Sequence, residues 1–428
     1  MLDLRGLFFV SCLISGGATL AAEGAPPNVS APVADAAAPA PETPVDPPID
    51  PIVARGKYLA AAGDCISCHT RPGGAPFTGG VGFETPFGSI YSSNITPDND
   101  TGIGTWTAAD LRKAMHEGVA PGSKHLFPAF PYTAFTKVTD QDVDAIFAYL
   151  RTLKAERYQP PANGILFTMR WPMMFWNALF FEPGRYKPDT SKSAEWNTGA
   201  YFVEGLGHCS ACHSPRNIFQ AEVTERAYAG GVIMDHVAEG KSRKWSAPNL
   251  TPAKTGLASW PVDELKSYLK TGVSSVAGTF GPMNDVIVNS LSQLTDADVQ
   301  AMAVYLKALP VQEQEGQPVS AEVAQAGKAI YEKRCSECHQ SGGDGGLFAG
   351  PPLAGSAIVQ TADPASLINV ILYGPQTPKS VDYGAWETMK LYGDVLSDAD
   401  VAAVSNYIRG SWGNKAPPVT AAQVAAQR

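Results

Sequence analysis

Six of the seven cysteines lie in three Cys-x-x-Cys-His motifs: Cys65-Ile66-Ser67-Cys68-His69, Cys209-Ser210-Ala211-Cys212-His213 and Cys335-Ser336-Glu337-Cys338-His339. This spacing attaches c-type haem. Two thiols add across the haem vinyl groups, and the next residue supplies the proximal imidazole to iron. One helical turn sets both sulfurs along a single porphyrin edge with the imidazole beneath it. A zinc site needs paired units close enough to close one tetrahedron, and these lie more than a hundred residues apart. A disulfide framework belongs to short chains, and this one has 428 residues. The expected cofactors are therefore three covalently bound haem c groups, with His69, His213 and His339 as proximal ligands.

The sixth ligand decides what each haem does, because a closed iron carries electrons and an open one binds small molecules. Two loops offer a single methionine each, Met283 in Gly281-Pro282-Met283 and Met389 in Trp386-Glu387-Thr388-Met389. Beside a c-type motif these are expected as thioether ligands, which raise the haem potential. The corresponding first loop, Lys124-His125-Leu126-Phe127-Pro128-Ala129-Phe130-Pro131-Tyr132, has no methionine. Phe130 stands where one is expected, and His125 is the best substitute. An open iron is the rival reading. Lys124 would first need to lose its proton, and Met115 and His116 belong to a helix. His116 and His236 read as surface or packing residues, and His208 is awkwardly placed to ligate its own haem.

The elements that must position these groups recur. Each motif follows a helical segment with a glycine and an aromatic: Gly56 and Tyr58, Gly199 and Tyr201, Gly327 and Tyr331. Each repeat closes with a similar helix, beginning Thr139-Asp140, Thr295-Asp296 and Ser397-Asp398. Ser or Thr there is an N-cap, and acids in the first turn favour the helix dipole. Middle helices over 107–118, 261–272 and 363–374 each end at a glycine suited to a left-handed cap. The fold class expected is mainly α, as three tandem small cytochrome c domains at 52–160, 190–312 and 320–414, each wrapped around one haem c. Residues 415–428 remain as a tail.

Residues 1–22 resemble a secretory signal, with Arg5, an apolar run and small residues at Ala21 and Ala22. Haem attachment of this kind happens outside the cytoplasm, which supports export independently. Cys12 reads as a small hydrophobe lost on cleavage, with a lipid-modified terminus as the alternative. Residues 23–51 are rich in Ala and Pro and read as an extended tether. No other segment is long enough and apolar enough to span a bilayer. A net charge of −9 argues against nucleic-acid binding.

The linker at 161–189 carries an apolar aromatic stretch, Ile165 to Phe181, interrupted by Pro172. It reads either as a core plug between domains or as a patch meeting the bilayer interface, a partner subunit or a quinone.

With these features in view, the chain resembles the tri-haem cytochrome c subunit of membrane-associated bacterial dehydrogenases, those acting on alcohol, aldehyde, gluconate or fructose in acetic acid bacteria and their relatives. The segments that carry the likeness are Gly63-Asp64-Cys65, Thr85-Pro86-Phe87-Gly88, Asn94-Ile95-Thr96-Pro97, Glu204-Gly205-Leu206-Gly207-His208-Cys209 and Ser411-Trp412-Gly413-Asn414. The resemblance implies an electron-transfer subunit, not catalytic alone, on the periplasmic side of the cytoplasmic membrane and peripherally attached. It implies a catalytic partner of molybdopterin, PQQ or flavin type, with room for a small third subunit, and ubiquinone as acceptor. Met283 and Met389 match the family's ligand positions; Phe130 departs from the alcohol dehydrogenase members. The loop from His125 to Tyr132 looks closer to subunits that accompany molybdopterin aldehyde dehydrogenases. A free periplasmic carrier, and a peroxidase-like enzyme with an open first haem, are the alternatives.

Overall fold

A computed structural model describes residues 50–164, 168–237, 241–313, 317–346, 349–382, 384 and 386–428. The expected signal sequence, nearly all of the tether, Cys12 and the side chain of His236 lie outside the described residues. The chain is mainly helical.

In the first segment, α1 (Pro51–Ala62) is capped by the Asp50 carboxylate, which accepts from the Ile52 N–H. α2 (Cys65–His69) carries the first motif. A hairpin of β1 (Gly82–Thr85) and β2 (Gly88–Tyr91) follows, then α3 (Ala108–Glu117) with a complete Thr107/Asp110 capping box. A short pair, β3 (Val119–Ala120) with β4 (Lys124–His125), leads to α4 (Tyr132–Phe135) and the closing helix α5 (Asp140–Thr152). The connecting stretch forms α6 (Pro172–Phe180).

The second segment runs through α7 (Ala194–Tyr201), a π-turn at Phe202–Leu206 and α8 (Ser210–His213). It continues with the antiparallel β5 (Gly231–Val237) and β6 (Lys241–Ala247), α9 (Val262–Thr271), α10 (Met283–Asn289) and α11 (Asp296–Lys307). The third contains α12 (Ala321–Gln325), α13 (Lys328–Arg334), α14 (Ser336–His339), α15 (Ala365–Tyr373) and α16 (Asp398–Gly410). Last comes α17 (Ala421–Ala425), which packs into the third segment: Asn406 and Val419 exchange two hydrogen bonds, and Arg428 pairs with Asp398.

The three closing-helix caps form as the sequence suggests, with Thr139, Thr295 and Ser397 each accepting from the N–H three residues on. Gly118 and Gly272 adopt the left-handed C-cap conformation. Gly374 differs, with φ 70° and ψ −179°, an extended mirror-image geometry open to glycine almost alone.

The repeated glycine before each motif marks a helix crossing. A Cβ on Gly56 would sit 1.8 Å from the carbonyl oxygen of Ala145; on Gly199, 2.0 Å from that of Ala301; on Gly327, 2.0 Å from that of Ala403. Only hydrogen fits, so each glycine lets the leading helix lie directly on the closing helix.

The first two segments also exchange contacts reciprocally. Tyr58 donates to Asp298 and accepts from the Thr295 N–H, while Tyr201 donates to Asp142 at 2.6 Å and accepts from the Thr139 N–H. Each tyrosine thus completes the cap of the other segment's closing helix. One continuous apolar core runs through both, from Leu59 and Ile146 to Leu206, Ile287 and Leu306. A separate core, built on Tyr331, Ile368, Leu372 and Ile408, lies in the third. Polar contacts join the two bodies: Ser246 and Ser366 exchange hydrogen bonds, and Lys244 pairs with Asp363 at 2.8 Å.

Candidate haem-attachment sites

Each motif histidine is held in the same way. The His69 Nδ1 lies 2.7 Å from the Ser93 carbonyl oxygen, His213 Nδ1 2.8 Å from that of Pro248, and His339 Nδ1 2.8 Å from that of Pro351. A carbonyl can only accept, so each ring is the tautomer with its proton on Nδ1 and a lone pair on Nε2. Burial lowers the affinity of all three rings for a further proton, keeping them neutral. A neutral imidazole oriented by a carbonyl is what a metal-ligating histidine requires.

All six motif cysteines are unpaired. Burial pushes the thiols of Cys65, Cys68 and Cys209 up to about 12 and that of Cys335 up to about 11, and raises Cys212 and Cys338 as well. A redox-active Cys-x-x-Cys pair shows the opposite, a depressed thiol. These residues therefore fit a group that consumes both thiols covalently while the histidine binds its metal.

Sequence reading did not find the carbonyls that orient the histidines, although a signal was present. Ser93 and Pro248 each precede an Asn-x-Thr-Pro segment, Asn94 to Pro97 and Asn249 to Pro252. The buried Asn94 Oδ1 accepts from the N–H and hydroxyl of Thr96, and Asn249 does the same with Thr251. Their amides donate onward to the carbonyls of Glu156 and Gln312, just beyond the closing helices. The repeated motif thereby pins the carbonyl beneath each imidazole. In the third segment no Asn-x-Thr-Pro follows Pro351; Asn414, just past the closing helix, instead donates to the carbonyls of Leu353 and Ile408 and accepts from the Gly355 N–H.

Asp64 and His208, ahead of the first two motifs, stand out in the sequence, but their contacts do not. Asp64 and His208 hold φ of 47° and 36°, left-handed values uncommon outside glycine. Asp64 is buried and accepts from Ser67 Oγ at 2.6 Å; burial pushes its carboxyl up to about 7. Ser67 in turn accepts from Asn289 of the second segment at 2.9 Å. The His208 ring hydrogen-bonds the backbone of Gly63 and meets Phe135 edge-on. The first two motifs are thus stitched together through their leading residues.

The candidate sixth ligands fall into three settings. Met283 opens α10, half-buried against the first core. Its neighbour Asn284 donates to the carbonyls of Pro375 and Gln376, on the loop that leads to Met389. Met389 is half-buried against the second core and lines a cavity of about 500 Å³ with Tyr373, Thr377 and Trp386. His125 stands on β4 opposite Val119, half-buried, and its Nδ1 is buried with no hydrogen-bond partner. Phe130, in the place of a methionine, packs on Phe135 at 5.3 Å between ring centres. Met115 and His116 are buried on the core side of α3, His116 at 1% exposure.

Paired thiols followed by a carbonyl-anchored imidazole, set on short helices, define a c-type cytochrome. Residues 53–154 match the family model for cytochrome c, and residues 322–408 match that for the cbb3-type cytochrome c oxidase subunit III. The chain is 38% identical to the gluconate 2-dehydrogenase cytochrome c subunit of Pantoea cypripedii, over 89% of this chain and 90% of that one. It is likewise 38% identical to the cytochrome c subunit of alcohol dehydrogenase (quinone) from Gluconacetobacter polyoxogenes, over 87% and 83%. Identity reaches 41% with a nicotinate dehydrogenase subunit of Pseudomonas putida, over 83% of this chain but 30% of that longer protein. The chain belongs to the family of cytochrome c subunits of bacterial dehydrogenases.

Proposed function

We propose that the protein is a tri-haem electron-transfer subunit that takes electrons from a catalytic dehydrogenase subunit and passes them to ubiquinone in the cytoplasmic membrane from its periplasmic face. The threefold Nδ1–carbonyl anchoring of His69, His213 and His339 carries the reading. Haem c, when bound, supplies one-electron carriers. The chain's own residues do the rest. Cys65 and Cys68, Cys209 and Cys212, and Cys335 and Cys338 would tether the three groups, and His69, His213 and His339 would hold the irons through Nε2. Met283 and Met389 would supply electron-rich thioethers to the second and third. His125 would serve the first, supported by its orphaned buried nitrogen and by the absence of methionine from its loop.

The relatives' printed names span gluconate, alcohol, fructose and nicotinate oxidation, one of them with a quinone as acceptor. A molybdopterin aldehyde dehydrogenase is the favoured partner, resting on the likeness of the His125–Tyr132 loop; an alcohol dehydrogenase is the second choice. Affinity purification from native membranes tests this. A molybdenum-containing partner is expected, while a quinoprotein or flavoprotein would move the assignment to alcohol or sugar oxidation. Alkaline pyridine spectroscopy should give three haems per chain, and two would remove one attachment site. The oxidised subunit should show low-spin EPR signals alone; a stoichiometric high-spin signal at neutral pH would rule out His125 as ligand.

A further inference from the structure

Helix α6 is apolar on both faces. On its inner side Trp176 Nε1 donates to the Phe219 carbonyl at 3.0 Å, Asn177 accepts from the Tyr132 hydroxyl at 2.6 Å, and Phe180 stacks on Phe219. The outer side presents Trp171, Met174, Phe175, Ala178 and Leu179 to solvent, with Phe175 at 62% and Leu179 at 74% exposure. These positions follow one another at the spacing of a single helical stripe. Ile218, 82% exposed, and Phe219 extend the patch from the adjoining loop. A soluble helix turns its polar residues to water; this one does the reverse, so something covers it.

The charges around the stripe favour a lipid surface. Between residues 157 and 181 there is no acidic residue, in a chain whose net charge is −9. The first carboxylate after the stripe, Glu182, lies past the helix end. Beside the stripe, Arg170 and Lys124 lie close enough to repel each other, and neither makes an ion pair among the described residues. Two uncompensated cations at the edge of a Trp- and Phe-rich face suit anionic headgroups.

We propose that the outer face of α6, with Ile218 and Phe219, lies in the headgroup region of an anionic bilayer and holds the chain there with its first motif segment against the membrane. Arg170 links the two, since its guanidinium donates to the His125 carbonyl at 2.7 Å and lies 4.8 Å from the Phe127 ring centre. The His125 loop therefore sits directly beneath the docking helix. This deepens the membrane half of the proposed function and rests on it only for the identity of the acceptor.

The test compares the holoprotein with a Trp171→Ser/Phe175→Ser/Leu179→Ser variant by co-sedimentation with vesicles of phosphatidylglycerol and phosphatidylethanolamine. The variant should lose at least about tenfold in partition coefficient with an unchanged haem spectrum. Lys124→Gln should weaken binding to anionic vesicles about fivefold and leave binding to phosphatidylcholine vesicles unaltered. Quenching by brominated lipid should fall in Trp171→Phe, which preserves the fold even if the triple variant does not. Equal sedimentation of the triple variant overturns the proposal, as does unchanged quenching in Trp171→Phe. A triple variant that still binds vesicles but no longer retains its dehydrogenase subunit would assign the face to a protein interface instead. Haem content is read on the same samples, so a failed cytochrome assignment is seen separately from failed docking.

Discussion

His116 shows how one side chain can set acid stability without touching the chemistry. It is buried on α3, with its Nδ1 3.6 Å from the Asp140 carboxylate. Burial, aided by Arg185, pushes its pKa from 6.5 down to about 4, and Asp140 only partly opposes this. The folded state thus binds a proton less readily than the unfolded chain. The stability so conferred is complete above about pH 6.5 and is lost as pH falls through about 4. Urea midpoints should decline across that window, and His116→Gln should flatten the decline; an unchanged slope would count against the assignment. The sequence placed His116 on a helix, but burial depends on which face that helix turns inward, and a ten-residue helix leaves that open. The Cys-x-x-Cys-His motifs were legible because their spacing is local, fixed within five consecutive residues. The carbonyls that orient the histidines are not, since Ser93 lies 24 residues beyond His69.

At the scale of elements, the crossing glycines make the sharpest demand. Gly199 meets the Ala301 carbonyl where a methyl group would stand, so Gly199→Ala must force α7 and α11 apart. A cost of about 3 kcal/mol is expected, at the upper end for overpacking. Gly205 is the control, being buried nearby with its closest neighbour 3.6 Å from the added carbon, an ordinary contact. Thermal melting should therefore separate the two alanine variants clearly, and similar melting temperatures would show that the helices yield without strain. These glycines and the closing-helix caps could be read from sequence because they repeat. The Tyr58–Asp298 and Tyr201–Asp142 exchange could not: each pair joins residues far apart in the chain, and nothing in a tyrosine's local sequence names its partner. Similarly, the apolar stretch at Ile165–Phe181 was readable as either plug or surface; Ile165, Leu166 and Phe167 lie outside the described residues, and α6 buries no residue fully, one face half-buried against Tyr132 and Phe219 and the other exposed.

For the molecule as a whole, the two cores imply two cooperative bodies, the first two segments together and the third with α17. Arg409 offers a handle on the second alone. It is fully buried, and its guanidinium donates to the carbonyls of Pro417, Val359 and Thr361 at 2.7–2.8 Å. Burial lowers its pKa to about 10, still far enough above neutrality for it to remain charged. Arg409→Leu would strand three acceptors, of which the two buried ones, on Val359 and Thr361, cost about 1–3 kcal/mol each. Native-state hydrogen exchange read by mass spectrometry should then show faster exchange throughout α13–α17, while α1–α11 keep their wild-type protection. The seam that could carry the effect across is narrow and largely polar: Ser246 with Ser366, Asn369 with the Lys244 carbonyl, Asn284 with the carbonyls of Pro375 and Gln376, and the Lys244–Asp363 pair, with Arg243 over the Tyr373 ring. The partly exposed Lys244–Asp363 pair contributes little, and the buried serine exchange contributes on the order of 1 kcal/mol per bond. Acceleration in both bodies would mean that the seam binds them into one cooperative unit, and that the separate cores do not translate into separate stabilities.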